Sequence, residues 1–298
     1  MRFVTLGVVL SAALLTGAQA FAQHPIDVQR LQADADYMGS LAAYDRMPKR
    51  MATTDAMVSA AKSAWALGLS DRASAEFQSA LQDNSLGVEA RARINLFRSI
   101  IELQEERLQT AEAFVQRAMQ KLDAPGALRA KIWMVWGDVL SGLQQFGAAA
   151  EKYKLSLAEA GDEDLPEVHF RLGECGIKLG QNEAAKEQFE NVPLDNDRAP
   201  EAIRYLAQLA LDQGEYQHAQ FWLNRGRTDF PERFLDSWVD YALLQAALHQ
   251  GDRTAAKNLM EAANTQYPPS DFWLSMLNAT FQASSWRDAD EILKKGAQ

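Results

Sequence analysis

The sequence predicts an all-α protein, built as a right-handed superhelical solenoid of stacked antiparallel helix pairs. Ala, Leu, Gln and Glu dominate the composition and β-branched residues are sparse, which favours helix formation. A helix–turn–helix pattern recurs along the chain at spacings of 33 to 38 residues, and glycines fall mostly at the expected helix ends. The core of such an array is a seam between neighbouring units, so we do not divide it into globular domains.

The first 22 residues have the features of a secretory signal peptide. Arg2 precedes an apolar run over residues 4–15, and small residues follow at Ala20 and Ala22. The run is too short to remain in a bilayer as a spanning helix. We expect cleavage near Ala22, with Ala20 as the alternative site. The signal is bacterial in style, so the sequence predicts an exported, periplasmic protein with no integral membrane segment.

One stretch in the middle of the chain defines the repeating helix pair. A first helix is expected over residues 201–213, with apolar residues at the three-and-four spacing of one helix face. Pro200 opens this helix and Gly214 closes it. A second helix follows from Tyr216 and ends before Pro231. Small residues on both helices should allow their axes to approach closely.

A small residue near the start of each second helix marks the period. These residues, here called the repeat alanines, are Ala73, Ala111, Ala149, Ala185, Ala219, Ala256 and Ala289. Four places after each comes a bulky residue: Phe77, Val115, Tyr153, Phe189, Leu223, Met260 and Leu293. We count seven repeats, or eight if a degenerate early unit with Ser40, Tyr44 and Met47 in the corresponding places is included.

This pattern resembles the tetratricopeptide repeat, or TPR. The matching places in the central unit are Leu206-Ala207, Gly214, Tyr216, Ala219, Leu223, Gly226 and Pro231. The resemblance divides the chain into a signal peptide (1–22), an N-terminal helical segment that holds the degenerate unit (23–53), and a TPR-like array (54–298).

The resemblance implies a concave groove lined by the first helices, which binds peptides or segments of proteins. The groove-lining places map to Trp65, Met134, Asp138, Phe170, Glu174, Lys178, Arg204, Gln208, Asp212, Trp238, Tyr241 and Gln245. Aromatic and arginine side chains are enriched at binding hot spots, although Trp238 and Tyr241 could equally be packing residues. Aromatic residues are also crowded near the C-terminus, where we expect either internal packing or a partner or second copy: Phe272, Trp273, Phe281 and Trp286.

The composition argues against several other functions. The formal net charge is −10 and basic residues form no cluster longer than a pair, which does not favour nucleic acid as a partner. We find no metal-binding pattern, no phosphate-binding glycine loop and no nucleophile motif, so we expect neither an enzyme nor a cofactor. The single cysteine, Cys175, is either a small packing residue or a reactive thiol.

These expectations lead to a non-catalytic interaction protein. We expect a scaffold or assembly factor that binds proteins of the cell envelope, as part of a secretion, motility, polymer-export or outer-membrane assembly machine. The alternative is a periplasmic chaperone or accessory module for exported clients or cell-wall enzymes. A scaffold should have a fixed set of partners, whereas a chaperone should have many transient ones.

Overall fold

The computed structural model describes residues 24–161 and 165–266, and the side chains up to residue 262. Within these ranges there are fourteen α-helices, two short 3₁₀ turns and no strand. The chain divides into two compact units, Met1–Leu143 (unit 1) and Gln144–Gln298 (unit 2). The all-α class predicted from the sequence is confirmed.

From residue 24 onwards, unit 1 contains three helix pairs and one further helix. They are α1 (Pro25–Ala33), α2 (Tyr37–Arg46), α3 (Thr54–Ala66), α4 (Ser70–Ala80), α5 (Val88–Gln104), α6 (Leu108–Met119) and α7 (Ala127–Gly142). Consecutive members of each pair pack together, and α1 and α2 both pack against α3. In the degenerate first unit Ser40 is buried, and its hydroxyl donates to the carbonyl of Val28 at 3.0 Å.

The described part of unit 2 begins with one helix and continues with three pairs. They are α8 (Phe146–Ala160), α9 (Pro166–Lys178), α10 (Asn182–Glu190), α11 (Ala199–Asp212), α12 (Tyr216–Asp229), α13 (Ser237–Gln250) and α14 (Arg253–Gln266). The expected helix over 201–213 is thus observed as α11, with Pro200 in its first turn. The second helix begins at Tyr216, as expected, and stops before a 3₁₀ turn at Pro231–Arg233.

The repeat alanines are among the most deeply buried positions of the described fold. The six that lie in the described residues are at most 1% exposed. The bulky residues four places later are equally buried from Phe77 to Leu223, and Met260 is half-buried. A methyl group at the helix crossing lets the second helix approach the first, and the bulky residue one turn later fills the seam.

The turns between paired helices share one geometry. In the α11–α12 turn Gly214 has a φ of +73°, and the amide of Glu215 donates to the carbonyl of Ala210 at 2.7 Å. This is the hydrogen bond of a helix that ends in a left-handed residue. Glu106, in the turn between α5 and α6, takes the same left-handed conformation with a φ of 57°. A glycine is therefore sufficient but not necessary for this turn.

Two glycines of unit 2 permit close aromatic packing. A Cβ atom on Gly226 would lie 2.2 Å from Cε1 of Phe234, and one on Gly173 would lie 2.6 Å from Cε1 of Phe189. Both rings are buried, so each fills the space that a side chain on the glycine would take. Cys175 is 1% exposed on the same helix as Gly173, which confirms its interpretation as a packing residue.

Candidate functional site

Three first helices of unit 2 carry a polar residue at an equivalent position. Glu174 of α9, Gln208 of α11 and Gln245 of α13 each lie eleven residues before a repeat alanine. All three are half-buried. We call these three residues the polar row. The row places carboxylate and amide groups at the spacing of the repeat, on the helices that the sequence assigned to the groove.

The Glu174 carboxyl is held in a partly apolar setting beside Tyr205 of α11. Burial raises the pKa of Glu174, against the opposing effect of the nearby Arg171 and Arg198 guanidinium groups. The Tyr205 hydroxyl hydrogen-bonds this carboxyl, and burial also raises the pKa of Tyr205. The Tyr205 ring stacks on Phe189 at 4.7 Å. The sequence analysis missed Tyr205, since it lies outside the assigned groove positions.

The other members of the row are less constrained. The Gln208 amide donates to Asp212 at 2.7 Å, one turn further along α11. No hydrogen bond from the Gln245 side chain occurs within the described residues, and Lys178 at the end of α9 is exposed. These side chains can hydrogen-bond a partner without first breaking a buried interaction of the fold.

Arg204 was expected in the groove as a binding residue, but it joins two repeats instead. Its guanidinium donates to both carboxylate oxygens of Asp236 and to the carbonyl of Arg233. It also lies 4.7 Å from the ring centre of Phe234 and 5.2 Å from that of Trp238. The assignment of Arg204 to the groove stays a prediction, but these intramolecular partners already engage its guanidinium.

The acceptor in this contact, Asp236, caps the next helix. Its carboxylate accepts from the backbone amide of Val239 at 3.1 Å, at the start of α13. Burial would raise the pKa of Asp236, but the bonds from Arg204 and Val239 outweigh it and hold the pKa below its usual value. Asp236 therefore links the end of one repeat to the start of the next.

The aromatic residues assigned to the groove differ in burial and in the side chains that they contact. Phe170 is 3% exposed and packs edge-on against Phe189 at 5.7 Å, so its assignment to the groove surface is wrong. On the same helix, Gly173 leaves room for the Phe189 ring that Phe170 contacts. Trp238 is half-buried against the core of unit 2 and stacks with Arg204. Tyr241 is half-buried on α13, one turn before Gln245.

The remaining groove positions belong to unit 1. Trp65 is half-buried, meets Phe97 edge-on at 5.8 Å, and donates from Nε1 to Gln104 at 2.7 Å. Met134 and Asp138 of α7 are half-buried, and Met134 packs against the core around α5 and α6. These side chains support the repeat packing of unit 1.

Several expectations lie outside the described residues. They concern the signal peptide (1–22) and the aromatic residues Phe272, Trp273, Phe281 and Trp286. Among the described residues, no group of three or more His, Cys, Asp or Glu side chains is arranged to hold a metal ion. None of the helices found there is both long and apolar enough to cross a bilayer.

The repeat pattern is also recognised by comparison with known proteins. A family model described as a tetratricopeptide repeat matches residues 166–192, which include α9 and α10. A comparison with the sequences of curated proteins gives no match.

Solved TPR structures resemble the chain in fold. The C-terminal part of a TPR repeat-containing protein from Cytophaga hutchinsonii has a TM-score of 0.64 and 11% identity, covering 86% of this chain and 95% of that one. PilW, described as a widely conserved type IV pilus biogenesis factor, has a TM-score of 0.55 and 18% identity, with 75% and 98% covered. YrrB, described as a TPR protein with an unusual peptide-binding site, has a TM-score of 0.54 and 18% identity, with 68% and 97% covered.

At these identities the likeness concerns the fold. The buried repeat alanines and the shared turn geometry are its physical basis, because they fix how each helix pair closes and stacks. A tetratricopeptide-repeat model thus matches one helix pair of the chain, and the chain is similar in fold to solved TPR structures.

Proposed function

We propose that this chain is a non-catalytic scaffold or assembly factor that binds segments of other proteins through the first helices of unit 2. The observation that carries the proposal is the polar row, in which Glu174, Gln208 and Gln245 recur at intervals of 34 and 37 residues. Amide side chains both donate and accept hydrogen bonds, so such a row suits the alternating N–H and C=O groups of a peptide backbone.

The charge of this surface narrows the type of segment that it binds. Arg204 and Arg171 are engaged with Asp236 and Glu167, so their charges are largely compensated within the fold. Arg171 also pairs with Glu174 at 3.7 Å, so Asp212 is the acidic group beside the amides that these arginines leave uncompensated, with Tyr241 as the adjacent aromatic side chain. The surface therefore favours a neutral or basic extended segment that places an apolar side chain against Tyr241.

The proposal also covers the compartment in which the protein acts and the type of assembly that it serves. The signal-peptide features of residues 1–22 support export to the bacterial periplasm, where the scaffold would hold part of an envelope-associated machine. PilW, which has the same fold, is described as a factor of type IV pilus biogenesis. N-terminal sequencing of the protein from a periplasmic extract should give a chain that begins at Gln23. A retained Met1 would contradict export by this signal.

The binding surface can be tested by site-specific photo-crosslinking in cells. A photoreactive amino acid is placed at Gln208 or Gln245, and as a control at Asn224, which is exposed on α12. A scaffold should give the same small set of crosslinked proteins from both row positions at a constant ratio, and none of them from Asn224.

Other outcomes of this experiment separate the alternatives. A broad and changing set of products from the row positions would indicate the chaperone interpretation. Discrete products from Asn224 alone would move the binding surface to the second helices and contradict the role of the polar row.

A further inference from the structure

A pocket of about 450 Å³ in unit 1 collects basic side chains, although the chain as a whole has a net charge of −10. It is bordered by the ends of the second helices α4 and α6, with the first half of α5 between them. Arg91 and Arg98 of α5, Arg117 of α6 and Lys121 just after α6 line it. We call this the basic pocket. It uses none of the residues of the polar row.

Arg91 is part of the framework of the pocket. Its guanidinium donates to the backbone carbonyls of Leu81 and Leu86 at 3.2 and 3.1 Å, and to that of Asp83. It therefore secures the connection between α4 and α5. The other three cations have no such role.

Arg98 and Arg117 converge on one aromatic ring. The guanidinium carbons lie 3.9 Å and 5.3 Å from the centre of the Phe114 ring, so the two groups are no farther apart than the sum of these distances. Phe114 is itself nearly buried. The Nε atom of Arg98 is buried and has no hydrogen-bond acceptor in the protein. Two like charges are thus held near each other, one of them partly desolvated.

No carboxylate balances these charges at close range. Within the described residues, Arg98, Arg117 and Lys121 form no ion pair. The nearby Glu102 is engaged with Arg107 at 2.5 Å. Burial, together with repulsion from Arg117, lowers the pKa of Arg98 against the weaker opposing effect of Glu102. The folded chain therefore holds an arrangement of cations that an anion would stabilise.

We propose that the basic pocket binds a phosphate-bearing ligand. A phosphate monoester carries nearly two negative charges at neutral pH and presents three acceptor oxygens, which suits two guanidinium groups and an ammonium better than one carboxylate does. Asn95 and two glutamine side chains add polar groups, while Leu81, Val88 and Ala92 offer apolar contacts. The pocket therefore fits a phosphate ester with a small organic group, such as glycerol phosphate, either free or as a lipid headgroup.

The test is isothermal titration calorimetry of the full mature chain with glycerol 3-phosphate and with inorganic phosphate, at constant ionic strength. The double variant Arg98→Gln/Arg117→Gln should bind at least about tenfold more weakly than the wild type. The control Arg50→Gln/Arg93→Gln removes the same charge from exposed positions of unit 1 and should stay within about twofold. Equal losses in both variants, or no binding by the wild type, would overturn the proposal.

A second variant tests phosphate binding without disturbing the packing of the two arginine side chains on Phe114. Lys121 is exposed, so Lys121→Gln leaves that packing intact and should weaken phosphate binding by about threefold. Unchanged binding in this variant would contradict a role for Lys121. A hexaglutamate peptide that binds more tightly than glycerol 3-phosphate would contradict the phosphate class.

The source of the phosphate is distinguished by vesicle flotation. Vesicles of phosphatidylglycerol should carry the wild type, and not the Arg98→Gln/Arg117→Gln variant, if the ligand is a lipid headgroup. Binding of the soluble ester without flotation would identify a free ligand. Flotation that is equal for both proteins would contradict recognition of the membrane through this pocket.

Discussion

Arginine has different surroundings in the basic pocket of unit 1 and in unit 2. All six arginines between residues 165 and 236 of unit 2 form ion pairs with carboxylates. Several of these join successive repeats, such as Arg198 with Glu167 and Arg233 with Glu201. In unit 1, Arg98 and Arg117 share an aromatic ring and no carboxylate pairs with them.

The difference teaches that the repeat fixes the buried positions and leaves the outer charges free to change. The repeat alanines are buried alike in both units. Outside this seam, the ion pairs of unit 2 hold neighbouring repeats together, whereas the cations of the basic pocket are available to a ligand. Paired arginines should therefore stabilise the fold, and the arginines of the pocket should contribute little to it.

The largest expected effect on stability comes from removing the Phe234 ring, over which the Arg204 guanidinium lies. Phe234 is fully buried and fills the space next to Gly226, so Phe234→Ala should lower the free energy of unfolding by about 3–5 kcal/mol. Urea denaturation followed by circular dichroism measures this change. Phe221→Ala is the matched control, because Phe221 is 53% exposed and its loss should cost less than about 0.5 kcal/mol. Similar losses in both variants would mean that Phe234 does not hold this junction.

Smaller changes in the free energy of unfolding are expected when a paired arginine and an arginine of the basic pocket are replaced in turn. Arg204→Gln should destabilise by about 1 kcal/mol, since it removes a partly exposed ion pair and a hydrogen bond to a backbone carbonyl. Arg117→Gln should change the free energy of unfolding by less than about 0.5 kcal/mol, because it also relieves repulsion with Arg98. Urea denaturation at low and high NaCl concentration should show the Arg204 effect shrinking with salt. Equal losses of stability in the two variants would contradict the proposed distinction between paired arginines and those of the basic pocket.

The smallest effect concerns the pH dependence of the polar row. Folding raises the pKa of Glu174, so its contribution to stability is present below the unfolded pKa and is lost as the pH rises through the folded pKa. Glu174→Gln removes this penalty and can still accept the Tyr205 hydroxyl hydrogen bond. The melting temperature of the variant, relative to wild type, should therefore rise between about pH 4 and pH 7.

Glu187→Gln is the control for this measurement, because Glu187 is exposed on α10. It should change the melting temperature less than Glu174→Gln does at pH 7. A lower melting temperature for Glu174→Gln at pH 7 would show that the ion pair with Arg171 outweighs the burial of the carboxyl.

Much of the repeat could be predicted from the sequence because its causes are local and periodic. The repeat alanines, Pro200, Gly214 and Pro231 act within one helix pair, and their spacing can be counted along the chain. The structure buries the repeat alanines that it describes, and it ends the helices at those breakers. The polar row also lies at positions that the TPR resemblance assigned to the groove.

The tertiary structure decided which of the assigned residues are free. Arg204 meets Asp236, which lies 32 residues away, and Phe170 is buried against the Phe189 ring of the next helix. The basic pocket likewise brings together residues of α4, α5 and α6 that share no motif.

The physical reason is that a repeat pattern specifies the distance between helices but not the partner of each outer side chain. The seam is selected by close packing, which needs the same residue size in every unit. Charge pairing depends on which side chains of neighbouring repeats come within hydrogen-bonding distance, and this is set only when the helices stack. The sequence by itself therefore determined the fold and its period, and the tertiary structure decided that Arg204 joins repeats while Arg98 and Arg117 line a pocket.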